Sequence, residues 1–123
     1  MYNYFMLIGF VSNELEIKET SDGKKFLPVD LVVRRDFKNQ DGEYTYDKVR
    51  IYLWEWLADL AFANVKKDSK IGIKGRVRPK YEKLESGAYV NVNNLYGEKL
   101  IFFDAPDFLN KDTSMELTDD LQV

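Results

Sequence analysis

The chain has 123 residues, of which 45% are hydrophobic, and a formal net charge of −3. That length suits one domain, and the apolar content is sufficient for a packed core. The chain contains neither cysteine nor histidine, which excludes a disulfide framework and removes the commonest general base and metal ligand. We therefore expect neither catalysis nor a cofactor. No apolar run reaches the length of a membrane span, which predicts a cytoplasmic protein without a membrane partner.

The net charge averages two dissimilar parts of the chain. From Asp104 onward there are six acidic residues and one lysine, giving −5, whereas the preceding residues carry 17 basic and 15 acidic side chains, giving +2. An acidic segment with few apolar residues buries too little surface to offset its ordering entropy. We predict a mildly basic domain over residues 1–103 and an acidic, disordered tail over residues 104–123.

The first part of the domain is predicted to be a series of strands. Residues 4–11 are almost wholly apolar, which is typical of a strand that is covered on both faces or contacts a second subunit. Residues 14–20 alternate in polarity, and the Asp22-Gly23 pair then predicts a tight hairpin turn into a strand over residues 26–35. A polar loop follows over residues 37–43.

Residues 44–54 predict a strand with two unlike faces. Successive side chains of a strand point to opposite sides, so Val49, Ile51 and Leu53 face the core together. The even-numbered residues form a face of rings and cations, which comprises Tyr44, Tyr46, Lys48, Arg50, Tyr52 and Trp54.

The second part of the domain begins with a helix. Apolar residues at helical spacing over residues 55–65 predict one short amphipathic helix. A strand over residues 70–80 follows, with an apolar face and a basic face made by Lys70, Lys74, Arg76, Arg78 and Lys80. A loop over residues 82–87 and a last strand over residues 88–103, interrupted near Gly97, complete the domain.

The charge of the two basic faces is the main indication of function. A face that is merely solvated usually mixes charge signs, but neither of these faces includes an acidic residue. The alternative for either strand alone is an ordinary exposed face, whose lysines discourage edge aggregation. Cations interleaved with rings suit a flexible polyanion with exposed bases, which describes single-stranded nucleic acid.

The order of the elements predicts the fold. Strands, one helix and further strands match an all-β OB-fold, a five-stranded Greek-key barrel with the short helix between its third and fourth strands. A small sandwich is the alternative, which the lone helix in mid-chain fits less well.

Over roughly residues 1–103 the chain resembles the bacterial-type single-stranded DNA-binding protein (SSB) family. The likeness rests on the order and spacing of several short stretches, namely residues 5–9, 20–25, 31–37, 39–44 and 67–76. The resemblance implies a non-enzymatic protein that binds single-stranded DNA with little sequence preference and protects it during replication, recombination or repair. It also implies a homo-oligomer, a tetramer or a dimer, assembled through the first strand.

The resemblance also carries over individual residues. Phe37, Trp54 and Tyr81 occupy positions at which the family stacks bases, and Tyr52 shares the face of Trp54. Lys48 stands where the family often has a further ring. Phosphate contacts are expected from the cations of these strands, namely Arg34, Arg35, Lys48, Arg50, Lys74, Arg76, Arg78 and Lys80.

The end of the chain departs from the family pattern. The family typically closes with an acidic tip and a Pro-Phe anchor that docks on replication and repair proteins, whereas residues 119–123 read Asp-Asp-Leu-Gln-Val. We expect weak or no docking of such partners, and a phage, plasmid or otherwise divergent member would suit this ending.

Two other functions stay open at this point. An OB-fold that recognises RNA or a protein would use a similar basic and aromatic face. An enzyme would require a metal site, for which Asp41, Glu43 and Asp47 are the candidates.

Overall fold

The computed structural model describes residues 2–103, and these residues form an all-β barrel with one short helix. The elements are β1 (Phe5–Val11), β2 (Lys18–Glu19), β3 (Lys25–Lys38), β4 (Tyr44–Trp54), α1 (Trp56–Asn64), β5 (Lys70–Lys83) and β6 (Tyr89–Phe102). The sheet order is β1-β5-β6-β4-β3-β2, and β1 also pairs with β3, so five strands close on themselves. The predicted OB-fold is confirmed. The helix lies between β4 and β5 because the two-residue β2 is counted here.

The core follows from the alternation of the strands. Odd-numbered residues of β3, β4 and β5 point inward and are fully buried, namely Leu27, Val29, Leu31, Ile51, Leu53, Ile71 and Ile73. Each buried aliphatic side chain of this kind stabilises the fold by about 1.5–3 kcal/mol. The helix α1 packs Leu57, Ala58 and Ala61 into the same core. Within residues 2–103 no helix is long and apolar enough to cross a membrane.

A bulge shifts the register between β5 and β6. Lys74 pairs with Lys99 but Gly75 pairs with Gly97, which leaves Glu98 as the extra residue. A Cβ on Gly75 would lie 1.9 Å from the carbonyl oxygen of Tyr96, so the two backbones approach too closely for any other residue. The predicted interruption near Gly97 is therefore a bulge inside a continuous strand.

Two strands are longer than predicted. β3 continues to Lys38, which reduces the predicted loop over residues 37–43 to a turn where the amide of Asn39 donates to the carbonyl of Glu43 at 2.7 Å. β5 continues to Lys83, and its turn into β6 closes where Leu84 donates to Ala88. The domain thus carries two long hairpin ends. The strand ends on either side of the turn at residues 39–43 are called the β3–β4 arm, and those on either side of the turn at residues 84–88 are called the β5–β6 arm.

The segment between β1 and β3 is less regular than its alternating pattern predicts. Of residues 14–20 only Lys18 and Glu19 form a strand. Before them the side chain of Asn13 replaces a strand partner, because its amide nitrogen donates to the carbonyl of Pro28 at 3.1 Å and its oxygen accepts from the amide of Asp30 at 2.9 Å. The edge groups of β3 are satisfied without a further strand. The predicted tail, residues 104–123, lies outside the described residues.

Candidate nucleic-acid interface

Four aromatic side chains from three strands form a cluster on the outside of the barrel. Phe26 pairs in register with Trp54, and Tyr52 with Tyr96, so strand alternation places all four on one face. The ring centroids of Phe26 and Trp54 are 5.1 Å apart, and those of Trp54 and Tyr96 are 5.6 Å apart. These residues are called the ring cluster below. The indole N–H of Trp54 is enclosed and has no hydrogen-bond partner within the described part of the chain.

A shallow groove runs beside the ring cluster. It is lined by the four rings and by polar side chains of the neighbouring segments, namely Thr20, Lys80, Glu82 and Asn94. Its walls come from β3, β4, β5 and β6, and from Thr20, which immediately follows β2. This feature is called the ring groove below. It combines flat apolar surfaces with charged groups, as base stacking with phosphate contacts requires.

Sequence reasoning identified half of the ring cluster. Tyr52 and Trp54 were predicted from their shared parity within β4, and the structure places them together. Phe26 and Tyr96 were missed because they join the cluster through pairings with β4. Both residues have even numbers, as Tyr52 and Trp54 do. However, nothing in the alternation of β4 or of β6 shows that these two strands pair in parallel.

Several predicted phosphate contacts lie over aromatic rings instead of beside carboxylates. The guanidinium of Arg78 lies 5.2 Å from the ring centroid of Tyr96, and that of Arg34 lies 4.2 Å from Tyr44. Lys74 approaches the ring of Tyr4 in the same way, at 5.1 Å. Cation-π contacts of this kind leave the positive charge available to an anion. Lys48 and Lys80 are exposed and make no ion pair among residues 2–103.

Arg50, another predicted phosphate contact, already has a carboxylate partner. Its Nε donates to Asp30 Oδ1 at 2.8 Å, and a second guanidinium nitrogen donates to Asp30 Oδ2 at 3.0 Å. These bonds hold the pKa of the Asp30 carboxyl below its usual value, although partial burial works in the opposite direction. The side chain of Asp30 is 10% exposed and that of Arg50 is 54% exposed. Arg50 therefore stabilises the fold through its ion pair with Asp30, and a phosphate would have to compete with that carboxylate.

Arg35 and Arg76 are also paired with carboxylates. Arg35 has the opposite parity to Arg34, so it lies on the other face of the β3–β4 arm, where it binds Asp47 at 2.8 Å. Arg76 contacts Glu98, the bulge residue, at 3.0 Å. Over residues 44–54 and 70–80 the basic faces contain no acid of their own, but neighbouring strands supply one. Sequence parity within one strand could not show this.

Phe37 and Tyr81 lie away from the ring cluster on the two arms. Phe37 is 83% exposed near the end of β3, and Tyr81 is 70% exposed in β5. Tyr81 has the opposite parity to Lys80 and so lies on the other face of the β5–β6 arm. Exposure of this degree shows that neither ring packs on the core.

The alternative metal site is not formed. Asp47 is engaged by Arg35, and its pKa is lowered by the hydrogen bonds from that guanidinium. Across the described residues there is no group of three or more histidine, cysteine, aspartate or glutamate side chains placed to hold a metal ion.

The outer side of β1 is apolar and exposed in the single chain. Three members, Met6, Ile8 and Phe10, belong to β1, and Tyr4 immediately precedes it. These four side chains, between 41% and 63% exposed, are called the β1 face below. The alternate residues Gly9 and Val11 are buried in the barrel. Of the two readings of this apolar run, coverage of both sides within one barrel is wrong.

Comparison with known proteins identifies the family. The model of the single-strand binding protein family matches residues 2–102. Single-stranded DNA-binding protein B of Bacillus subtilis is 32% identical over 104 residues, which are 85% of this chain and 92% of that protein. A single-stranded DNA-binding protein of Streptococcus mutans is 29% identical over 98 residues, 80% of this chain but 60% of the longer relative.

A solved structure, the Plasmodium falciparum SSB complex with ssDNA, matches with a TM-score of 0.70 at 22% identity and covers 85% of this chain and 96% of that one. This likeness shows the fold. The matched family model spans nearly all of the described barrel, including the ring cluster and both arms. The chain belongs to the single-strand binding protein family.

Proposed function

We propose that this protein binds single-stranded DNA with little sequence preference and coats it during replication, recombination or repair. The observation that carries the proposal is the ring cluster, four rings on the outside of a barrel with cations around them. Family membership supports it, as do relatives named for single-stranded DNA binding. DNA as the ligand implies a cytoplasmic protein, and a phage or plasmid origin stays a prediction.

Bases stack on Tyr52 and Trp54 in the ring cluster and on Phe37 and Tyr81 in the arms. Stacking stabilises binding by about 1–3 kcal/mol per base and tolerates any sequence, because every base has a π-face. Phosphates bind the cations that have no carboxylate partner within residues 2–103, namely Arg34, Lys48, Lys74, Arg78 and Lys80. Three arginines already have a carboxylate partner, namely Arg35, Arg50 and Arg76. Each of them binds a phosphate only after it releases that carboxylate.

A binding comparison tests this function. Fluorescence anisotropy with matched single-stranded DNA, duplex DNA and single-stranded RNA is measured at two salt concentrations. We expect tight binding to single-stranded DNA and weaker binding to RNA and duplex, with affinity falling as salt rises because phosphate contacts release counterions. Preference for RNA would favour the RNA-binding alternative, which family membership does not favour, and failure to bind any strand would refute the proposal.

We also propose that the β1 face pairs with a second copy of the chain. Its four apolar side chains are exposed to water in the single barrel, and contiguous apolar surface of this kind marks interaction sites. The result is a dimer or a tetramer.

A further inference from the structure

The ring groove has a polar wall that sequence-tolerant binding does not require. Lys80 and Glu82 lie two residues apart on the same face of β5, and Asn94 of β6 pairs in register with Arg78 on that face. None of these three side chains makes a hydrogen bond or ion pair within residues 2–103. Their polar groups are therefore available to a ligand.

The carboxylate of Glu82 is the unexpected member of this wall. A carboxylate repels phosphates, so it weakens a groove that serves only to hold a polyanion. It is useful, however, beside rings on which a base stacks, because the stacked base presents its hydrogen-bonding edge to the side of the stack. The charge of Glu82 then meets donor groups of the base instead of the phosphate backbone.

The chemistry of the wall selects one base. A carboxylate only accepts hydrogen bonds and a lysine ammonium only donates them. Guanine alone among the DNA bases offers two adjacent donors, N1–H and N2–H, with the O6 acceptor next to them. Cytosine and adenine each present one exocyclic amine beside a ring acceptor, so they offer the carboxylate one donor group where guanine offers two. Thymine presents one ring N–H between two acceptors.

We infer that the ring groove is a base-reading subsite that prefers guanine, an inference that rests on the proposed binding of single-stranded DNA. The guanine base stacks on the ring cluster, Glu82 accepts from N1–H and N2–H, and Lys80 donates to O6. Asn94 lies beside this pair in the groove and can donate or accept. The rest of the interface stays tolerant of sequence, so the preference is confined to one position in the bound strand.

The first experiment measures base preference with the unaltered protein. Three single-stranded DNA oligonucleotides of equal length are compared by fluorescence anisotropy: oligo(dT), a repeat of two thymines and one guanine, and the same repeat with hypoxanthine in place of guanine. Isolated guanines avoid quadruplex formation. A bidentate contact predicts at least about fivefold tighter binding of the guanine repeat than of oligo(dT). Hypoxanthine lacks the N2 amine, so most of this gain should be lost with it.

The second experiment assigns the preference to Glu82. Glu82→Gln should bring the ratio of guanine to thymine affinity close to one, because the amide presents a donor where guanine also presents donors. Glu85→Gln is the matched control, since it makes the same charge change in the turn of the same arm, outside the ring groove. Both variants should bind oligo(dT) slightly more tightly, and only Glu82→Gln should lose the preference. Circular dichroism confirms that each variant is folded.

The outcomes separate this inference from the proposed function. Equal binding of all three oligonucleotides by the parent would overturn the guanine subsite and leave single-stranded DNA binding intact. A preference that survives Glu82→Gln, or that hypoxanthine fully retains, would also overturn it. Absence of binding to every oligonucleotide would refute the proposed function itself.

Discussion

Trp54 belongs both to the packing of the barrel and to the proposed binding surface. Its ring lies between those of Phe26 and Tyr96, and its indole N–H is enclosed. The four rings of the cluster contact one another, and the same rings line the ring groove. A substitution here changes packing and stacking together, so a test must read the two effects separately.

We expect Trp54→Ala to weaken single-stranded DNA binding by about 1–3 kcal/mol, the value of one lost stacking contact. In the Trp56→Phe background, which removes the exposed helix tryptophan, the emission of Trp54 should be quenched when DNA binds. Unchanged emission during a saturating titration would contradict stacking on this ring. Loss of the folded circular dichroism signal in Trp54→Ala would instead assign the residue to the core.

Gly75 is fixed by a close backbone contact. We expect Gly75→Ala to destabilise the fold by about 3 kcal/mol or to prevent folding, because the new Cβ would lie 1.9 Å from the carbonyl oxygen of Tyr96. Gly23→Ala is the control. Its Cβ would meet open space, and only the positive φ of 85° opposes it, which costs about 1–2 kcal/mol. Urea unfolding measures both, and equal losses would mean that the β5–β6 bulge relaxes.

At the scale of single elements, alternation within a strand was a reliable guide. The faces of β4 and β5 and the turn at Gly23 are as predicted. The helix α1 lies within the predicted residues 55–65, and its buried residues are Leu57, Ala58 and Ala61. What the sequence could not show is which strands lie side by side. The partner carboxylates of Arg50 and Arg76, and two members of the ring cluster, come from other strands through pairings distant in the chain.

The two central arginines of β5 should therefore behave differently. Arg78 has no carboxylate partner in the described barrel, so Arg78→Ala should flatten the dependence of log K on log salt by about 0.7, the value for one phosphate on a single strand. The double variant Arg76→Ala with Glu98→Ala removes a neutral pair and should leave that slope nearly unchanged. An equal flattening in both would show that Arg76 exchanges Glu98 for a phosphate.

The ion pair between Asp30 and Arg50 joins the side chains of two register partners, one on β3 and one on β4. We expect Asp30→Asn to lower the free energy of unfolding by about 1–2 kcal/mol at pH 7, the lower part of the range for charged hydrogen bonds, because Arg50 is half exposed. The folded pKa of Asp30 is depressed, so its stabilisation is present above the unfolded pKa of about 3.9 and is lost as pH falls through the folded pKa.

The difference between Asp30→Asn and the parent should therefore shrink at pH 3, as measured by urea unfolding at both pH values. Asp47→Asn breaks an exposed pair with Arg35 and should have a smaller effect. If Asp30→Asn lowers the free energy of unfolding equally at pH 3 and pH 7, the stabilisation does not come from the Asp30 carboxylate. An equally large loss in Asp47→Asn would also contradict this role of the Asp30–Arg50 pair.

At the scale of the whole molecule, the barrel presents two different surfaces. The ring groove, with its cations, lies over β3, β4, β5 and β6, whereas the β1 face is apolar and includes no charged residue of its own strand. Gly72 of β5 lies beside Ile8 and Met6 and keeps this region flat, since a Cβ there would already contact both side chains. A flat apolar surface suits pairing with an identical copy. Of the proposed phosphate contacts, Lys74 and Arg34 border this surface, whereas Lys80 lies in the ring groove.

The last prediction concerns assembly through the β1 face. We expect the parent protein to sediment as a dimer or tetramer and Ile8→Asp to dissociate it, because a carboxylate at the centre of an apolar interface loses its hydration without a partner. Phe62→Asp makes a comparable change at an exposed apolar residue of α1 and should keep the parent's mass. Since each barrel carries its own ring cluster, the Ile8→Asp subunit should still bind a short oligonucleotide and cover fewer nucleotides per particle. A monomeric parent, or dissociation by Phe62→Asp but not by Ile8→Asp, would place the subunit contact elsewhere.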